Sequence, residues 1–135
     1  MHELSLADAR RAIAAAIAHA ATLGVEVSVA VVDAGGNLRA FERMDGAEIA
    51  GPSLAVGKAY TAVANRCDTA SLAELAKPGG ELYGLAALDG GRYVVFGGGV
   101  PIARDGVVCG AIGVSGAAVA DDVACALAGF AALGS

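Results

Sequence analysis

Apolar residues recur at three- and four-residue steps along "SLADARRAIAAAIAHAATLG". Leu6, Ile13, Ile17 and Ala20 or Ala21 fall on one stripe, so the spacing predicts a helix from about Ser5 to Leu23. Ser5 can cap that helix, Asp8 completes a capping box and Gly24 stops it. The period then changes to two. Val27, Val29 and Val31 alternate with Glu26, Ser28 and Ala30, and "LRAFERM" follows after "DAGGN", which predicts a hairpin turning over Asp33 to Asn37. A second helix is expected from near Pro52 to Asn65, with Ser53 helping to cap it.

"DTASLAELAKPGG" reads as a short helix capped by Asp68 or Thr69 and stopped at Pro78-Gly79-Gly80. "ELYGLAALDGG" is irregular. Three strands are expected next, at Arg92–Phe96, Val100–Arg104 and Val107–Val114. Asp105-Gly106 supplies the turn between the last two. A closing helix carries Val119, Val123, Leu127 and Phe130 or Ala131 on its stripe. The predicted architecture is an α/β (α+β) fold, a single domain over 1–135 with one five-stranded, mostly antiparallel sheet and helices packed on it.

Composition narrows the function. Hydrophobic residues make up 56%, which excludes a disordered chain, and much of that is alanine. Small side chains imply helices lying close to the sheet, and Ala-rich surfaces point to burial against another copy of the chain. Net charge is -5 with no basic run, which argues against nucleic acid as a partner. No apolar stretch reaches the roughly 20 residues of a membrane span. The N-terminus lacks the basic lead of a signal peptide. Cys67, Cys109 and Cys125 have no redox or zinc spacing and suit free thiols in a reducing cytoplasm.

Candidate chemistry is sparse. Of the two histidines, His2 lies in the N-terminal segment and His19 stands on the first helix, off its main stripe. His19 reads either as a half-buried helix residue or as a ligand for haem or another metal. Ser115 in "GVSG" lacks the full nucleophile-elbow pattern and reads as a turn serine. Lys58, inside the apolar "VGKAYTAVAN", either snorkels its amine to water or anchors a ligand carboxylate, with Tyr60 or Thr61 adding a hydrogen bond. Gly97, Gly98 and Gly99 in "FGGGVP" lack the lysine of a phosphate loop. They fit a special turn, or a bare backbone wall that something approaches closely. Asp121 and Asp122 sit where a helix dipole favours negative charge.

Taken together, "VSVAVVDAGGNLRAFERMDGA", "KAYTA", "LAELAKPGGELYGL", "GGGVPI" and "GAIGVSG" closely resemble the GlcG/HbpS-like family of small haem-binding domains. That domain also forms the C-terminal part of PduO-type corrinoid adenosyltransferases. The resemblance covers about residues 4 to 133. It implies a profilin-like, three-layer α/β/α sandwich, a homo-oligomer, and a small-molecule ligand that is haem or, less often, cobalamin. Some members look like haem-degrading or iron-handling proteins. Relatives often carry histidine at the position of Asn37, which leaves His19 as the candidate axial ligand here.

On that resemblance, a pocket between the first helix, the Gly97–Gly99 turn and the second helix would hold the ring, with Lys58 or Arg66 on a propionate. The alternative is an enzyme on a small carboxylate-bearing intermediate, Lys58 holding the acid while Asp33, Tyr83 or Asp122 moves a proton. A third reading is a structural or regulatory module acting through its oligomer surfaces.

Overall fold

A computed structural model describes residues 3–134; His2 lies outside the described residues. Helix α1 (Leu6–Leu23) starts with the predicted capping box between Ser5 and Asp8, and Gly24 closes it at φ 70°. Strands β1 (Ser28–Asp33) and β2 (Leu38–Arg43) form the hairpin. Helix α2 (Gly51–Asn65) begins one residue before Pro52. Its cap is Ala50 with no side-chain bond, so Ser53 lies inside the first turn and not at the cap. Helix α3 (Thr69–Ala76) is short. Strands β3 (Gly99–Arg104) and β4 (Val107–Ser115) and helix α4 (Val119–Ala131) complete the chain.

The sheet has four strands in the order β2-β1-β4-β3, every pairing antiparallel. Alternate residues of the two central strands face opposite helix layers. Val29, Val31, Ile112 and Val114 pack with Ala12, Ile13 and Ala16 of α1 and with Cys125 and Ala126 of α4. Ala30, Val32 and Ala111 pack with Ala55, Ala59 and Ala62 of α2. Helices cover both faces, so β1 is buried on both. No described helix is long and apolar enough to cross a membrane.

The expected fifth strand is absent, and the reason is local. Residues 92–96 lie along α2 instead of joining the sheet edge. The Val94 N–H donates to Thr61 Oγ1 at 2.9 Å, where a strand would bond a neighbouring strand. The Val94 side chain presses on Gly57 of α2, where any Cβ would come within 2.6 Å of it. The apolar run in "RYVVF" therefore reflects packing on a helix. The segment 77–91 before it is largely exposed and holds two 3₁₀ turns, Leu85–Ala87 and Asp89–Gly91.

Candidate functional site

The glycine run and Lys58 belong to one arrangement. Lys58 of α2 is fully buried, and its Nζ donates to the Val114 carbonyl at 2.9 Å and to Asp122 Oδ2 at 3.1 Å. The amine also stands 5.0 Å from the centre of the Phe96 ring. Asp122 Oδ1 accepts from the Ala117 N–H at 3.0 Å, so both carboxylate oxygens are used. Burial lowers the Lys58 pKa and raises that of Asp122, and each charge offsets part of the other's cost. The amine expected to anchor a ligand is thus hydrogen-bonded inside the protein and does not snorkel, and Lys58 lines neither of the two cavities below.

Gly98 makes this possible. Its φ is 129°, and a Cβ there would lie 2.5 Å from the Val114 carbonyl and 2.7 Å from Lys58 Nζ. The Gly99 N–H donates to Thr69 Oγ1 at 2.9 Å, pinning the start of α3 to β3. Gly97 packs against Val119 and Val123 of α4. The three glycines are places where helices touch bare backbone. Thr61 is likewise committed: it accepts from Val94 and its Oγ1 donates to the Gly57 carbonyl at 2.7 Å.

Elsewhere, cavities lined by described residues include two of similar size. A groove of about 490 Å³ runs along α2, with Ser53, Leu54, Gly57 and Tyr60 on one wall and Gly91 and Arg92 on the other. The Arg92 guanidinium lies 3.3 Å above the Tyr60 ring. Tyr93 tilts against Tyr60 with centroids 5.8 Å apart, and its hydrogen bond with Tyr60 raises the Tyr93 phenol pKa. Arg92 and Asp89 approach to 3.6 Å, each about half exposed.

The second cavity, about 530 Å³, lies beside the hairpin turn and the start of β4. It collects Glu3, Asp33, Asn37 and Cys109 with Val107 and Val108. Asp33 Oδ1 accepts from the N–H groups of Gly35 and Asn37 and from Asn37 Nδ2, which makes Asp33 the organiser of the turn. Burial raises the Cys109 pKa, keeping that thiol neutral. Two carboxylates and no cation line this cavity, so it disfavours an anionic guest.

The structure spreads the remaining candidates widely. His19 is half-buried on α1, whereas Lys58, Tyr60 and Thr61 are on α2 across the sheet, so no cleft joins His19 to Lys58. Arg66 is exposed at the end of α2, at φ 53°. Tyr83 is 68% exposed on the outer segment and lines neither cavity. Among the described residues no group of three or more His, Cys, Asp or Glu is placed to hold a metal ion. Sequence reasoning missed Arg92 and Asp89. The signal was "LDGGRY", an arginine next to a tyrosine just after a glycine turn, hidden by the strand assignment.

Known proteins share this chain's pattern. The family model for haem-degrading, HbpS-like proteins matches residues 4–131. An uncharacterised 15.0 kDa protein from the dhaT–dhaS intergenic region of Citrobacter freundii is 40% identical over 119 residues, covering 88% of this chain and 84% of that protein. The corrinoid adenosyltransferase PduO of Salmonella typhimurium is 39% identical over 130 residues, 96% of this chain but 39% of PduO. The chain therefore spans about two fifths of that enzyme's length. A crystal structure of a PduOC:haem complex superposes with a TM-score of 0.93 at 39% identity, over 96% of this chain and 94% of that one.

Proposed function

This chain belongs to the HbpS-like family, and from that premise we propose that it binds haem, with the His19 imidazole as the iron's axial ligand. The observation that carries the reading is the likeness to the PduOC:haem complex, which extends over nearly the whole chain.

The chemistry of the chain's residues supports placing such a group at His19. Haem iron takes an imidazole, a thiolate, a thioether or a phenolate. His19 is the one histidine among the described residues. The Cys109 and Cys125 thiols are buried, and burial raises both pKa values, that of Cys125 to about 11, so both stay protonated at neutral pH. Tyr60 lies under the Arg92 guanidinium. His19 is half-buried, and around it α1 presents Ala15, Ala18 and Thr22, side chains small enough for a flat ring to lie against the helix. When bound, haem would supply an iron able to take a nitrogen donor, and His19 would be the residue to hold it. The chain's part is to offer the imidazole and an alanine-lined surface.

The test is a haemin titration followed by absorption. A saturable Soret shift with the native chain, lost in a folded His19→Ala variant, supports the reading. A native chain without a saturable shift defeats it.

A further inference from the structure

The α2 groove plays no part in that reading and has its own chemistry. We propose that it binds a small carboxylate-bearing molecule, gripped by the Arg92 guanidinium, with its apolar body against Leu54, Val56 and Val94.

Three observations carry this. First, Arg92 is stacked at 3.3 Å on Tyr60. Stacking uses the flat face of a guanidinium and leaves its N–H edge for acceptors, and a fork fixed this way loses little freedom on gripping a carboxylate. Second, the nearest carboxylate, Asp89, stands at 3.6 Å, beyond the 2.7–3.2 Å of an N–H···O hydrogen bond. Asp89 balances the charge of Arg92 without saturating its donors. Third, the wall beside Arg92 is bare backbone. Gly90 and Gly91 carry no Cβ and both have positive φ, so a ligand can come close, while Leu54, Val56 and Val94 supply apolar surface. A volume of about 490 Å³ suits a small organic acid.

The carboxylate has two possible sources: a free organic acid, or the propionate edge of a tetrapyrrole. Benzoate serves as the probe and benzamide, its uncharged isostere, as the control, with binding followed by NMR shifts of the Tyr60 and Arg92 signals. Benzoate is expected to bind saturably, and Arg92→Gln, at a half-exposed position, to weaken it about 10- to 100-fold, the worth of hydrogen bonds to a charged group. Equal binding of benzoate and benzamide overturns the proposal, as does Arg92→Gln binding benzoate like the native chain. Repeating the titration with haemin present identifies the source. Displacement of benzoate assigns the groove to a propionate, and simultaneous binding assigns it to a separate acid. The groove stands or falls independently of His19, because the benzoate arms need no haem.

Discussion

Lys58 of α2 and Asp122 of α4 hold each other at 3.1 Å in the interior, from helices packed on opposite faces of the sheet. A buried pair of this kind adds little net stability, but removing one partner strands a charge. Lys58→Met is therefore expected to cost about 3–5 kcal/mol in urea unfolding. Lys58→Met with Asp122→Asn should cost less than the sum of the two single variants, since no charge is left unpaired and Asn can still accept from the Ala117 N–H. In Lys58→Met, Asp122 loses the Lys58 charge that offsets its burial, so its pKa stays raised. Stability relative to the double variant should then be best in acid and fall as pH rises through the Asp122 titration.

Gly98 carries the second expectation. Alanine there meets both a left-handed φ of 129° and a Cβ 2.5 Å from the Val114 carbonyl. The cost should reach at least about 1–3 kcal/mol, the range for strained backbone. Gly106, also at positive φ, has nothing within 4 Å of an added Cβ. Gly106→Ala should be the milder variant in the same thermal melt.

Asp8 sets an acid limb. Its hydrogen bond from Arg104, at 3.0 Å, holds the carboxyl below its ordinary value of 3.8. A lowered folded pKa contributes stability above the unfolded value and loses it as pH falls through the folded one. Arg104→Gln should therefore be destabilised at neutral pH, with the gap to the native chain closing below about pH 4 in urea titrations.

The three cysteines are free and should separate by access. Cys67 is half-buried, while Cys109 and Cys125 are buried with raised pKa values. Ellman's reagent should label Cys67 first in the native protein and the other two only on unfolding.

Much of the fold was legible in local patterns. The α1 capping box, the Asp33 turn and the Asp105-Gly106 hairpin each depend on neighbours within four residues, so the sequence displays them. Arg92–Phe96 misled because a short apolar run marks burial, and α2 buries Val94 as well as a strand would. Lys58 and Asp122 were both singled out, one as an anchor and one as an acid or base. Their pairing spans 64 positions and no periodicity links them. The glycine run was read as turn or pocket wall, and its side-chain-free backbone admits Lys58 and the helices. The Arg92–Tyr60 stack depends on a 3₁₀ turn that no apolar pattern announces.

The most direct measurement for haem binding at His19 is chemical rescue. A His19→Gly variant is loaded with haemin, and its Soret spectrum is recorded before and after imidazole is added. Ligation by His19 predicts a lost or shifted Soret band in the variant, restored toward the native spectrum by free imidazole. A His19→Gly spectrum identical to the native one without imidazole would contradict it.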